Sequence, residues 1–337
     1  MVKDSKPTKI EDVAARANVS IMSVSRAIRG VEGVSEKKRA EILRLAREMK
    51  YVPNSNARSL AVANSNLIGI SLPTFAGEVF ADILNGMRKT FDSAGYSSVI
   101  DTTEYSPEAE LNWVRRLLSW QPAGIILTGT DHTPETQDLL RAAPIPVLEI
   151  WDQSEDPIDI CVGIDHFKAG QMIGEHAVAL GYARPAFVST ARGHDTRADA
   201  RLEGVREVFA RLKSAPVLSS RIASDNNFAT GFQGTSELLS GDVPDLICYL
   251  NDHMAFGGMM SCQAKGLSVP DDIGIIGFNE LDLASVLPME LTTVRTLRKL
   301  MGIVGARNLL ARINGAKTDT CTVLPIEFVP GQTTRPQ

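Results

Sequence analysis

The sequence predicts an α/β chain in which a short, wholly helical head precedes a larger body of two lobes built on parallel sheets. Three observations predict it. Charge divides near residue 60: residues 1–60 hold 13 Lys and Arg against 7 Asp and Glu, and the remainder holds 22 against 33. Within the head, apolar residues recur at helical spacing on two short stretches separated by a tight break. From residue 67 the pattern turns to short apolar runs alternating with amphipathic stretches, which reads as strands and helices in succession.

In the head, Ile10, Val13, Ala14 and Ala17 lie on one helical face, and Asn18-Val19 breaks the pattern. Ser20 suits the cap of a second helix, whose inward face is Val24, Ala27 and Ile28. Ser35 caps a third, Glu36 to Met49, with Ile42, Leu45, Ala46 and Met49 as its buried stripe. Two short helices joined by a tight turn form a helix-turn-helix, whose second helix fits the DNA major groove. A basic head on an acidic body fits the same reading, since only the head would then meet a polyanion.

Base reading falls to the start of the second helix. Arg26 can donate two hydrogen bonds to guanine, whereas Ile21 and Met22 read shape or the thymine methyl. Ser20 and Ser25 suit phosphate contact or capping as well as bases. Lys37, Lys38 and Arg39 read as a solvated basic face that adds phosphate attraction.

The expected strands of the body are 67–72, 97–100, 123–127, 146–150, 160–164, 185–189, 245–250 and 273–278, with helices at 78–94, 108–119, 166–180, 199–213, 228–240 and 252–265. So many alternating units exceed one sheet, and parallel sheets bind ligands beyond the carboxyl ends of their strands. After PAFVS come Arg192, Arg197 and Arg201, forks suited to carboxylate or phosphate at a helix start. Asp195 and Asp199 can instead pair with them as surface salt bridges. Thr128, Glu149, Asp152, Asp165, Asn251, Asp252 and Asn279 are the other strand-end polar groups, and Asp252 can equally cap its helix. Thr74 and the aromatic rings of Phe80, Trp151 and Phe278 complete the candidate ligand site.

Other classes find little support. Cys161, Cys248, Cys262 and Cys321 lie far apart with no Cys-x-x-Cys pair, so neither a metal site nor a disulfide framework is expected. No phosphate-binding glycine motif follows a strand, and no nucleophile elbow or metal spacing organises the histidines; no cofactor and no catalysis are expected. No apolar stretch is long enough for a membrane span, and the charged amino terminus lacks a signal-peptide core, so the expected location is the cytoplasm.

The segments IEDVAARANVSIMSVSRAI, YVPNSNARSLA, VGIDH, RLEGV, YLNDHMAFG and DDIGIIGFNE resemble the lactose/galactose repressor family in order and spacing over about 330 residues. LLSWQPAGIILTGTDHTPETQDLL, with IPVLEIWDQ, looks most like the gluconate-utilisation branch. The resemblance implies a homodimeric regulator, its heads on a pseudo-palindromic operator and a sugar-like effector in the cleft of a periplasmic-binding-protein-like body. It divides the chain into a head (1–53), a hinge helix and linker (54–66) and an effector-binding and dimerisation domain (67–337). The N-lobe then spans about 67–164 and 296–323, and the C-lobe about 165–292 and 324–337.

By the same resemblance Ile21, Met22 and Arg26 meet the major groove, and Arg201, Asn251, Asn279 and Asp165 meet the effector. The polar stretch NSNARSLAVANSN becomes a hinge helix that folds on DNA. There Asn54, Ala57 and Arg58 contact the duplex, and Leu60 wedges into a minor-groove step. Two departures matter. Asn279 stands where many members carry Asp, and Ile21 and Met22 stand where the lactose repressor is polar. The chain ends without that repressor's leucine heptads, so a dimer is expected rather than a tetramer. The arginine cluster and the branch resemblance together point to a sugar acid: gluconate, a ketogluconate, idonate or phosphogluconate.

Overall fold

The computed structural model describes residues 8–52, 65–191, 195–211, 216–223, 227–285 and 288–336. The chain divides into two compact units, Met1–Asn64 and Ser65–Gln337.

The first unit holds helices α1 (Ile10–Ala17), α2 (Ile21–Arg29) and α3 (Glu36–Glu48). Val13, Ala14, Ala17, Val24, Ala27, Ile42, Leu45 and Ala46 form its core. The turn between α1 and α2 begins where Asn18 takes a left-handed φ of 51°, a conformation Asn tolerates better than most residues. Ser20 then caps α2, accepting from the Ser23 backbone N–H at 3.1 Å, and Gly30 ends it at φ 70°. Lys38 and Arg39 depart from the expected solvated face because both serve the fold. Lys38 donates to the α1 carbonyl of Ala17 at 2.8 Å, and Arg39 to the Val31 carbonyl at 2.7 Å.

In the second unit, β1 (Leu67–Leu72), β2 (Ser97–Thr102), β3 (Gly124–Thr128), β4 (Val147–Asp152), β5 (Ile160–Ile164) and β11 (Cys321–Val323) form a parallel sheet in the order β11-β5-β4-β3-β1-β2. A second parallel sheet, in the order β7-β6-β8-β9, joins β6 (Pro185–Thr190), β7 (Leu218–Ile222), β8 (Leu246–Tyr249) and β9 (Gly274–Ile276). The antiparallel pair β10 (Thr293–Thr296) and β12 (Ile326–Val329) runs beside them. Helices cover both faces: α4 (Glu78–Ser93), α5 (Pro107–Ser119), α6 (Pro134–Ala142) and α11 (Arg298–Ile313) with the first sheet, and α7 (His166–Ala179), α8 (Thr196–Arg211), α9 (Phe228–Leu238) and α10 (Asp252–Ala264) with the second. Burial on two faces explains the continuous apolar runs: every residue of β5 and of β8 is buried.

Four strands and two helices go beyond the sequence reading. Strand β7, LSSRI, is an edge strand with two exposed polar positions, too polar to register as an apolar run. Strands β10, β11 and β12 are three or four residues long. Helix α11 buries Gly302 and Gly305 beside Met301 and Leu309, so it lacks a clean amphipathic stripe.

One close approach sets up the ligand site. Helices α7 and α8 touch backbone to backbone, and a Cβ at Gly170 would run into the carbonyl of Arg201. That contact brings the first residue of α7, His166, against the Arg201 side chain. Among the described residues no helix is long and apolar enough to cross a membrane.

Candidate functional site

On the head, the start of α2 presents Ser20, Ile21, Met22 and Arg26 to solvent, with Ser25 half-buried. Ile21 is 48% and Met22 58% exposed, so both apolar side chains face outward from the head's core. The Ser20 hydroxyl is engaged in its cap and also meets Ser23 Oγ at 2.9 Å. Arg26 lies exposed beside Gly33, whose bare α-carbon leaves room for the guanidinium. Asn54, Ala57, Arg58 and Leu60 lie outside the described residues, as does Arg192.

The second unit holds a cavity of about 210 Å³ at the carboxyl ends of both sheets. It gathers Thr74, Phe80, Trp151, Arg197, Arg201, Asn251, Phe278 and Asn279. Phe80 meets Trp151 edge-on at 6.2 Å, and Phe278 lies under the Arg201 guanidinium at 4.2 Å.

Arg201 is the centre of the arrangement. It is only 3% exposed, yet among the described residues no carboxylate lies within ion-pair distance of it. Its Nη1 donates to His166 Nδ1 at 2.8 Å and its Nη2 to the Leu250 carbonyl at 3.3 Å, while Nε is buried without a partner. Burial lowers its pKa to about 10, so it still carries its charge at neutral pH. A guanidinium only donates, so His166 Nδ1 must accept, and the imidazole is the neutral Nε2–H tautomer. Burial and Arg201 both press it that way, against the pull of Asp152. Asp152 Oδ1 stands 3.1 Å from Nε2 but out of line for a hydrogen bond, which leaves both atoms unpaired in the buried interior.

Arg197 is treated differently. Its Nε donates to Asp195 Oδ1 at 3.1 Å. Burial alone would lower its pKa, but Asp195 and Asp152 outweigh burial and raise it. In return, Arg197 and Arg201 hold the Asp195 carboxyl below its ordinary value in spite of burial. Asp199 pairs with Arg221 on the surface. Of the two described arginines, one is thus neutralised and one is not.

Two carboxamides supply neutral polarity. Asn251 Oδ1 caps α10 by accepting from Met254 N at 2.9 Å. Asn279 Oδ1 accepts from Thr296 Oγ1 at 3.2 Å, and its backbone takes a φ of 100°. Trp151 and Tyr105, which also line the cavity, take φ of 85° and 60°. Such backbone conformations cost roughly 1–3 kcal/mol each and gather at functional sites. The amino ends of α4, α9 and α10 also meet the cavity at Gly77, Asn227 and Asn251, and their partial positive charge favours an anion.

Three expected contacts lie elsewhere, because each side chain serves the fold. Thr128 Oγ1 donates to the Ser71 carbonyl at 3.1 Å between strands. Glu149 accepts from the Ile158 N–H at 2.6 Å and, with Glu110, flanks buried His132. Those two carboxylates overcome burial and raise His132 to about 10. Asp165 caps α7, accepting from Lys168 N at 2.8 Å. Asp252 does not cap α10: it is fully buried and accepts from Thr293 Oγ1 and Leu281 N, each at 2.6 Å.

Further lining residues carry weaker sequence signals. Glu78, Tyr105, Asn227 and His253 reach the cavity, and Asp195 does so as the partner of Arg197. Asn227 carried a signal: it stands three residues before Thr230 at a helix start, just as Asn251 stands before Met254. Glu78 and Tyr105 sit in a first turn and a loop with no motif of their own, and His253 lies within YLNDHMAFG.

Comparison with known proteins bears on both units. Residues 9–54 match the family model described as bacterial regulatory proteins, lacI family, and residues 66–329 that of periplasmic binding proteins and sugar binding domain of LacI family. The chain is 34% identical over 316 residues to the HTH-type transcriptional regulator GntR of Escherichia coli (strain K12), covering 93% of this chain and 94% of that protein. Among solved structures it resembles a LacI-family transcriptional regulator from Silicibacter pomeroyi, with TM-score 0.91, 32% identity and coverage of 98% and 100%. It also resembles the lac repressor dimer bound to operator and the anti-inducer ONPF, with TM-score 0.86, 27% identity and coverage of 98% and 99%.

Proposed function

The chain belongs to the LacI family of bacterial regulatory proteins, and from that premise we propose that it represses sugar-acid catabolism genes under the control of a sugar acid such as gluconate. It is a DNA-binding transcriptional regulator of the helix-turn-helix type. As a homodimer in the cytoplasm it reads a pseudo-palindromic operator with two copies of α2, and it carries out no catalysis.

The observation that carries the effector assignment is the state of Arg201. A buried guanidinium with no carboxylate partner among the described residues is costly unless a ligand supplies the counter-charge. A carboxylate meets that need with two parallel hydrogen bonds. The carboxamides of Asn251 and Asn279 offer hydroxyl partners, and the Phe80, Trp151 and Phe278 rings offer apolar faces for a carbon chain. The similarity to GntR and the resemblance to the gluconate-utilisation branch support the same class.

Isothermal calorimetry with gluconate, idonate and ketogluconate beside glucose tests the assignment. An acid is expected to bind at least about tenfold more tightly than glucose, since only the acid satisfies Arg201. Glucose binding as tightly as every acid would contradict it.

A further inference from the structure

We propose that Glu78 restricts the cavity to singly charged acids and rejects their phosphorylated counterparts. The inference rests on the sugar-acid reading and makes it narrower. Glu78 opens α4, lines the cavity and remains about one-third exposed at its rim. Its carboxylate spans two parts of the unit: Oε2 accepts from the Asp282 backbone N–H at 2.9 Å, and Oε1 lies 3.7 Å from His253 Nε2. The Asp282 bond places the negative charge on the cavity wall.

The supply of positive charge matches that restriction. Among the described lining residues the fixed cations are Arg197 and Arg201, and Arg197 is already held by Asp195. His253, the remaining basic side chain, stands beside Glu78 itself. One carboxylate therefore uses the free cation, Arg201. A phosphate on the same carbon chain brings nearly two further negative charges into a cavity of about 210 Å³. There, among the described residues, it meets the Glu78 carboxylate and no further unpaired arginine, and like charges forced together across a binding surface are strongly unfavourable.

Calorimetric titration of the full-length protein with gluconate and with 6-phosphogluconate tests this, and the ratio of the two affinities is the readout. The wild type is expected to favour gluconate by at least about a hundredfold. Glu78→Gln keeps an oxygen that can accept from Asp282 but removes the charge, and it is expected to shrink the ratio by at least about tenfold. Glu78→Asp, which keeps the charge, is expected to stay closer to the wild-type ratio. A purely structural role would weaken both ligands together and leave the ratio unmoved. Equal binding of the two acids by the wild type, or an unchanged ratio in Glu78→Gln, overturns the role of Glu78 while the sugar-acid reading stands. Binding of glucose but of neither acid overturns both.

Discussion

Arg201 and Asp252 are both buried charged groups, and they differ in what surrounds them. Arg201 has a ring, an imidazole nitrogen and a carbonyl for company, which leaves its charge for a ligand in the proposed reading. Asp252 is saturated by protein donors, which identifies it as structural. Sequence could nominate both as polar residues near strand ends but could not separate them, because the distinction depends on partners 29 and 41 residues away. Thr128 was hidden for the same reason, its partner Ser71 lying 57 residues away, whereas Asp165 has a local partner in Lys168 and could equally be read as a helix cap. Burial raises the Asp252 carboxyl from 3.8 to about 7, against the pull of its hydrogen bonds from Thr293 and Leu281. The folded chain therefore holds this proton more tightly than the unfolded chain. The resulting stability is complete below 3.8 and is lost as pH rises through about 7. Urea unfolding should show Asp252→Asn losing less stability than wild type between about pH 4 and pH 7. An equal loss in the two proteins would remove this assignment.

At the scale of elements, helix α2 shows how a short sequence can specify a surface. Its apolar residues separate into an inward set, Val24 and Ala27, and an outward pair, Ile21 and Met22, and that separation was legible from spacing alone. The core strands were equally legible, since two-sided burial writes an unbroken apolar run such as ICVGI. The edge strand β7 and the short β10, β11 and β12 were not, because few of their residues need be apolar. If α2 reads the operator, Arg26→Ala should weaken specific binding by about 1–3 kcal/mol and relax preference at one base pair. Anisotropy titrations against single-base operator variants check this. Uniform weakening across all variants would instead make Arg26 a phosphate contact.

For the whole molecule, two legible features carry the functional reading: the charge division near residue 60 and the change of periodicity at 67. They separate a polyanion-binding head from a ligand-binding body before any contact is known. The proposed ligand's chemistry is only half legible: three arginines fall within ten residues of sequence, but which of the two described ones, Arg197 and Arg201, lacks a carboxylate partner is a property of the folded unit. Regulation requires that the ligand bind the two functional states of the protein with different affinities, and by linkage the operator must then shift ligand affinity by the same factor. The sign follows from which state the ligand prefers. The most direct test measures operator affinity at fixed salt with and without saturating gluconate, for wild type and Arg201→Ala. Gluconate is expected to change wild-type operator affinity by about 5–150-fold, with Arg201→Ala binding operator normally and ignoring the acid. Wild-type affinity that gluconate leaves unchanged, or a full response in Arg201→Ala, would contradict the account.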